Sequence, residues 1–520
     1  MKQVIQTDKR TGIEYVYEYE CYWDKEKKQS RYSSRRLVGH IDKETGEVVP
    51  NRPTKASPAS PSAQRLFCGS AHLLDGLAAQ TGLDKDLEGA FPGAAAAILS
   101  VAHYLLCEGN STMARFERWS RTHAHPLGHA LSTQRISELF GRVGQDGLEE
   151  LFRHRAGRAG GEYWFYDTTS ISSYSQAMES VRWGKNKDRV PLPQLNLAAV
   201  LDAKSGLPVY FKDIAGNIND ATMVRSLLAD AARMGVGRMR LCMDRGFYSK
   251  ANIDALMDGH MKFVIGLKTA YAYVAEAIRE HADGLRSWQN YDGRAHIFGM
   301  RVPHAWEPGR NGPQGAKAAK AAKRAYLHLY YLPGRVAKDE EELAQTLRLL
   351  SGELESNNRK EENAALYERY FKRARGGGYA CRDDAIEAER ERFGNFALLS
   401  NDASLSAHDA LAVYRGKDMI EKAFGDIKER LDFLTPKVEC SETLRGKLCA
   451  VFVALILASE LRRRMDGAGL YGRYTMQGLF DELGSIERYE CEGHRPRVLV
   501  VTKKQRELYE LLGVQPLTTS

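Results

Sequence analysis

Between Glu162 and Gly266 the chain alternates short apolar runs with amphipathic stretches. Tyr163-Trp164-Phe165-Tyr166 is an unbroken apolar run that leads into Asp167-Thr168-Thr169. Leu195–Leu201 and Leu207–Phe211 read as two further strands, and Asn219–Met234 as a helix. Met239–Met243 runs into Asp244-Arg245-Gly246, and Lys262–Gly266 follows after a short helix. Strands this short and apolar, alternating with helices, predict an α/β layer with a largely buried sheet. From about Thr269 to Phe393 the order breaks down. One good strand, Tyr326–Tyr331, stands there among long charged helices over Asp339–Arg375, so the stretch reads as an insertion. Asn395–Ser400 then predicts a returning strand, with helices over Ser406–Leu431 and Glu442–Met465.

The chain ahead of this layer has a different texture. Ile13–Tyr19 alternates like a strand, and Thr45-Gly46 marks the turn of a second hairpin. Asn51–Ala63, with Pro53, Pro58 and Pro61, reads as a linker. Gln64 to about Arg155 is helical, with breaks at Gly82 and Pro92. A length of 520 residues fits three or four domains.

Composition adds little to this picture. The net charge of +8 is compatible with a polyanionic partner, but many basic enzymes bind none. The eight cysteines are scattered, with no C-x-x-C pair, which argues against a zinc ribbon and for a reducing compartment. Met1–Arg10 is polar and shows no signal peptide. The longest apolar run, Cys449–Ala458, is about half a membrane span and reads as a buried helix. These features predict a soluble, cytoplasmic protein. No phosphate-binding G-x-x-x-x-G-K-[ST] loop is present, so nothing points to an ATP-driven mechanism.

The candidate chemistry lies at strand ends and on one helix. Asp167 and Asp244 each follow an apolar strand, where ligands gather in open α/β sheets. Each could also simply cap the segment after it. On a helix through Ser406–Leu431, Tyr414, Lys417, Glu421 and Lys428 fall on one narrow stripe. Ile420, Phe424, Ile427 and Leu431 form the core-facing stripe beside it, and Asp418, Lys422, Asp426 and Glu429 face solvent. Ordinary i,i+4 charge pairing would give a similar stripe, although this one lies at the core boundary rather than mid-surface. Three carboxylates suit two Mg²⁺ or Mn²⁺ ions about 4 Å apart, the arrangement that phosphodiester chemistry uses. The lysines and the tyrosine would then grip neighbouring phosphates. A glycosidase could also use paired carboxylates, but it would not call for the basic stripe.

Spaced in this way, Tyr414, Lys417, Glu421 and Lys428 resemble the Tyr-Arg-Glu-Lys signature of bacterial insertion-sequence DDE transposases. Asp244-Arg245-Gly246-Phe247-Tyr248 resembles that family's second-aspartate block, and Asp167-Thr168-Thr169 its first. The resemblance covers roughly residues 160–270 and 390–465, and the N-terminal hairpins also look like those of one long-chain branch of the group. Lys417 departs from the pattern by standing where the signature has arginine, which keeps the charge and loses the bidentate fork.

The resemblance implies an RNase H-like mixed sheet flanked by helices and interrupted by a β-rich insertion. It divides the chain into an N-terminal β-rich region and linker (1–60), a helical DNA-binding domain (61–158), a catalytic core in two parts (159–270 and 394–466), an insertion domain (271–393) and a C-terminal region (467–520). It implies Asp167, Asp244 and Glu421 as catalytic metal ligands. Tyr414, Lys417, Lys428, Lys185 and Arg245 become DNA contacts. The implied reaction is metal-dependent cleavage at transposon ends, followed by transfer of the 3′ hydroxyl into target DNA. The partners would be transposon-end DNA with terminal inverted repeats, target DNA and a second copy of the chain, in a bacterial cytoplasm at the nucleoid, with no membrane. The alternatives are an RNase H-like nuclease without strand transfer and a non-catalytic DNA-binding protein derived from a transposase.

Fainter signals remain. Trp288 and Trp306 are candidates for stacking a flipped base, against the commoner core role. His123, His125 and His129 lack a partner that would complete a zinc site. Ser132–Val143 is either a DNA-reading helix or ordinary packing. Arg182, Lys185, Lys187 and Arg189 with Trp183 form a basic loop that suits a DNA backbone or plain solvent. Arg462–Arg464 can answer the helix dipole.

Overall fold

In the computed structural model the described residues are 2–24, 27–43, 45–50, 63–110, 112–184, 186–188, 190–218, 220–237, 239–309, 321–374, 377–436, 438, 440–491 and 494–518. The expected linker, apart from Ala63, lies outside them. The chain forms two compact units, Met1–Gln64 with Glu490–Arg495, and Arg65–Tyr489 with Pro496–Ser520.

The first unit is an antiparallel sheet in the order β1 (Lys2–Thr7), β2 (Glu14–Asp24), β3 (Gln29–Ile41), β4 (Val48–Pro50). The expected strand is β2. Gly46, at φ +71°, turns the chain between β3 and β4 as the Thr45-Gly46 pair predicts. Arg35 lies 3.7 Å over the Tyr17 ring.

In chain order, β5 (Ala63–Phe67) precedes six helices: α1 (Gly69–Thr81), α2 (Leu83–Ala90), α3 (Ala95–Glu108), α4 (Phe116–Ser120), α5 (Thr133–Gly141) and α6 (Gln145–Arg158). The α/β layer comes next, with β6 (Trp164–Ser172), β7 (Gln194–Asp202), β8 (Pro208–Ala215), α7 (Asp220–Arg233), β9 (Arg240–Met243), α8 (Lys250–Asp258) and β10 (Lys262–Leu267). After it stand α9 (Ala272–Leu285), β11 (Tyr291–Asp292), β12 (Ile297–Trp306), β13 (Lys323–Tyr331), α10 (Val336–Glu355), α11 (Ala364–Tyr370), β14 (Phe371–Arg373), β15 (Tyr379–Cys381) and α12 (Asp383–Arg390). The chain returns through β16 (Asn395–Ser400), α13 (Ala407–Gly416), α14 (Asp418–Gly425) and a π-helical turn, Asp426–Arg430. It ends with α15 (Ser441–Gly467), α16 (Met476–Gly484) and α17 (Lys503–Leu511) as its last helices.

Nine strands make one mixed sheet in the order β11-β12-β13-β16-β10-β9-β6-β7-β8. Numbered by their order along the chain, the five strands from β10 to β8 run 5-4-1-2-3. β8, β9 and β10 run parallel to β6, while β7, between β6 and β8, is antiparallel to both. This is the RNase H-like arrangement that the resemblance implies. Every residue of β7 is buried, as a strand covered on both faces requires.

The stretch between β10 and β16 departs from the β-rich expectation. Its strands β12 and β13 pair onwards to β16 and extend the central sheet, so they are not a separate barrel or sandwich. The remainder is mainly helical, and α10–α12 close a small core of their own around Leu350, Leu354, Tyr367 and Tyr370. Long-range strand pairing has no local signature, and only β13 is apolar enough to stand out.

α15 accounts for the apolar run at Cys449–Ala458, all of which is buried. Among the described residues no helix is long and apolar enough to cross a membrane. Instead α15 packs against α3, α5 and β8, and a single core joins the early helices, the sheet and the C-terminal helices.

Candidate active site

The first aspartate sits within a strand and not at its end. β6 runs on through Thr168, Thr169 and Ser172, paired residue by residue with β7, so Asp167 faces Ala199 in mid-strand. The threonines that resemble a turn are β-branched and serve the ladder. The strand-end argument holds on the other flank of β6. Its parallel ladder with β9 stops at the pair Tyr166 and Met243, and Asp167 and Asp244 are the next residue on each chain.

Burial comes first in raising Asp167 above the ordinary carboxylate range, and nearby Asp244 adds to it. Lys187, the Thr168 N–H and Lys417 oppose the shift without cancelling it. The Lys187 ammonium stands 3.7 Å from Asp167 Oδ1 and is anchored on Thr168 O at 2.6 Å. Asp244 opens the short helical turn Arg245–Phe247, whose Phe247 is buried against Tyr166. Burial also pushes Asp244 up. The Tyr414 hydrogen bond, Lys417 and the Arg245 backbone outweigh it, so this carboxyl ends below its usual range.

Two helices deliver the remaining groups. A capping box between Ser406 and Asp409 starts α13, which carries Tyr414 to the sheet. The Tyr414 hydroxyl donates to Asp244 Oδ1 at 2.6 Å. Burial, and then the Asp244 charge, raise the phenol's pKa, which keeps the proton on this donor. Gly266 makes the approach possible, because a Cβ there would stand 2.6 Å from Tyr414 Oη and 3.1 Å from the Arg245 nitrogen. Gly416 likewise lets the helix settle on Phe165.

The single helix expected over Ser406–Leu431 is broken at Lys417, which joins α13 to α14. From this joint the Lys417 ammonium reaches Glu421 Oε1 at 2.8 Å and Asp244 Oδ1 at 3.8 Å. Burial would lower Lys417; its hydrogen bond to Glu421 and the charges of Asp244, Glu421 and Asp167 raise it instead. Lys417 therefore pairs with Asp244 and Glu421, while Lys187 is the ammonium beside Asp167. Glu421 itself is more than half exposed. The core-facing residues Ile420, Phe424, Ile427 and Leu431 are buried as the helical phase predicts.

Beyond Gly425 the phase still buries Ile427 and Leu431, but it fails at Asp426 and Lys428. The π turn adds a residue to one turn and rotates the side chains after it. Asp426, expected in solvent, is buried and paired with Arg430 and Arg462. Lys428 leaves the stripe and binds Asp188 of the loop before β7. Lys185 and Arg189 of that loop lie outside the described residues, whereas Lys187 and Asp188 meet the site. The sequence shows Lys187 only as part of a basic loop and gives no sign of Asp188 or Gly266.

The fainter signals separate cleanly. Trp306 is buried, with Nε1 donating to Asp254 Oδ1 at 2.8 Å, so it serves the core. Trp288 is 76% exposed and stacks on Tyr291. His123 stacks on Trp119, and His125 bonds Ser100. α5 buries Ile136, Leu139 and Phe140 and packs on α15. Arg463 and Arg464 both pair with Glu460.

Among the described residues no group of three or more His, Cys, Asp or Glu side chains stands close enough to hold a metal ion. The donor set still fits a hard divalent cation, being carboxylate oxygens around a place where an ammonium is already accepted.

The family described as "Transposase DDE domain" matches residues 164–457, which is more than half of the chain. The chain belongs to this family of DDE-domain transposases. The matched stretch begins at the first residue of β6 and ends within α15, so it contains both aspartates, Glu421 and the whole insertion. Members of the family generally use divalent metal ions. Among solved structures the chain is similar to one described as a piggyBac transposase synaptic complex with hairpin DNA. The identity is 10% and the TM-score 0.35, over 80% of this chain and 76% of that one. No curated protein matches.

Proposed function

We propose that this transposase cleaves DNA at transposon ends and transfers the freed 3′ hydroxyl into target DNA, with Asp167, Asp244 and Glu421 as its metal-binding carboxylates. The observation that carries the reading is a run of ammonium contacts, Lys417 with both Asp244 and Glu421 and Lys187 with Asp167, that draws together carboxylates far apart in sequence. Such convergence supports a cation site beside the neighbouring strands β6 and β9.

Mg²⁺ or Mn²⁺ held there, as two ions, would activate the attacking oxygen and stabilise the leaving one. The chain's own residues prepare the place. Tyr414 fixes one oxygen of Asp244 and leaves the other to a ligand. Lys187 offsets part of the burial cost at Asp167. Lys417 holds Glu421 near its post and, once the carboxylates are otherwise neutralised, can turn to a phosphate oxygen. Lys428 and Arg245 supply further phosphate contacts, and Trp288 offers an exposed face for a base. The proposed partners are end DNA with terminal inverted repeats, target DNA and a second copy of the chain.

Asp167→Ala, Asp244→Ala and Glu421→Ala are each expected to abolish Mg²⁺-dependent cleavage of DNA carrying the ends that flank the gene, with binding of that DNA retained. Full cleavage by any of the three overturns the assignment. A pre-cleaved end tests the second step: joining to target DNA identifies a transposase, and its absence a nuclease.

A further inference from the structure

A cleft of about 370 Å³ opens where the end of β5 meets α1, α3, α4 and α16. None of Asp167, Asp244, Tyr414, Lys417 and Glu421 lines it. His103 and Trp119 do, and they are 0% and 5% exposed. Among the described residues neither ring nitrogen of His103 nor Nε1 of Trp119 has a hydrogen-bond partner, although all three atoms are buried. Asp75 Oδ1 stands 3.8 Å from His103 Nε2, beyond hydrogen-bond reach. Burial first, and then the charge of His125, push the His103 pKa down from 6.5 to about 3. The ring is therefore neutral and offers one donor and one acceptor. Buried groups of this kind are normally paired, and each unpaired one costs stability.

Rings supply much of the remaining lining. Trp119 and His123 are stacked at 4.8 Å, and the exposed Phe67 lies 5.3 Å from His123. Phe480 joins them from α16. Formal charge enters the lining only as Glu108 and Asp481, both exposed. Water would satisfy the polar atoms and leave the rings bare. A phosphate or a DNA strand would meet two carboxylates and no cation. A flat ring with a donor and an acceptor on one edge answers both the rings and the unpaired atoms, and the volume is within the usual range for small-molecule sites. We infer that the cleft binds an uncharged heteroaromatic molecule with an amide or amino-imine edge, whose acceptor takes the Trp119 N–H and whose donor meets His103. Bound there, it would join the early helices to α16. Its binding does not depend on the proposed DNA reaction.

The test is saturation-transfer NMR titration of the full chain with nicotinamide and with adenine. Two comparison probes remove one feature each. Nicotinate has a carboxylate in place of the amide, and 3-methylpyridine lacks the donor–acceptor edge. Nicotinamide and adenine are expected to bind and to raise the melting temperature. The comparison probes should bind at least fivefold more weakly. Trp119→Phe keeps a ring and loses the N–H, so nicotinamide should weaken by about fivefold, the worth of one hydrogen bond. Glu108→Gln combined with Asp481→Asn, both at exposed positions, should leave nicotinamide unchanged and strengthen nicotinate, which a general loss of folding would not do. Failure of both nicotinamide and adenine to bind would leave the cleft to water and overturn the inference. So would equal binding of either comparison probe, unchanged nicotinamide affinity in Trp119→Phe, or unchanged nicotinate affinity in the double rim variant.

Discussion

Tyr414 Oη donates to Asp244 Oδ1 across 2.6 Å, from a position 170 residues further along the chain. The bond fixes one carboxylate oxygen with a neutral side-chain donor. Tyr414→Phe keeps the ring and loses the donor, a charge-assisted bond worth about 1.5–3 kcal/mol. Cleavage should fall by about tenfold or more with little change in melting temperature. Gly266→Ala should do at least as much, because its methyl group would collide with the same hydroxyl. Both changes act on one contact, so the double variant should be less impaired than the product of the singles. Independent effects in a kinetic double-mutant cycle would show that Gly266 serves something other than the approach of Tyr414.

The Lys428–Asp188 pair makes a second prediction. A lysine proposed to grip phosphate is neutralised within the protein by an aspartate from the loop before β7. Incoming DNA must displace that carboxylate. Asp188→Asn removes the competitor, so DNA should bind more tightly, by about fivefold, the worth of a partly exposed ion pair. The affinity should also fall more steeply with salt, by about one counterion in the slope. Titrations of labelled DNA between low and moderate salt measure both quantities. Weaker binding by Asp188→Asn would mean that Asp188 supports the loop and does not hold Lys428 in check.

Glu421 and its neighbours are legible in the sequence because a helix writes its faces at a local period. Ile420, Phe424 and Ile427 show the period plainly. The joint at Lys417 and the π turn at Asp426–Arg430 are not legible, because the single Gly416 before the joint is tolerated inside a helix and the extra residue in the turn shifts the phase without changing composition. Asp426 reads as a solvent-facing residue for that reason. Asp167 reads as a strand end because Thr168 and Thr169 suit a turn as readily as a strand, and only pairing with β7 decides between them. β12 and β13 do not show themselves as part of the central sheet, since pairing with β16 bridges most of the insertion. Lys187 and Asp188 meet the site only through the tertiary path of their loop.

His328 carries the last prediction. It lies fully buried in β13, opposite Arg301 and Leu398, with neither ring nitrogen hydrogen-bonded. Burial first, and then the Arg301 charge, push its pKa down from 6.5 to about 4. The imidazole is therefore neutral in the folded protein over a range where the unfolded chain binds a proton. The unfolded state gains protons as the pH falls through 6.5, so stability is present above that pH and is lost progressively towards pH 4. The full shift is worth on the order of 3 kcal/mol. His328→Leu removes the titration and the two unpaired nitrogens together. Its melting temperature should fall less than the wild type's between pH 7 and pH 4.5, whatever its value at pH 7. Parallel loss of stability in the two proteins over that interval would place the acid sensitivity in other groups.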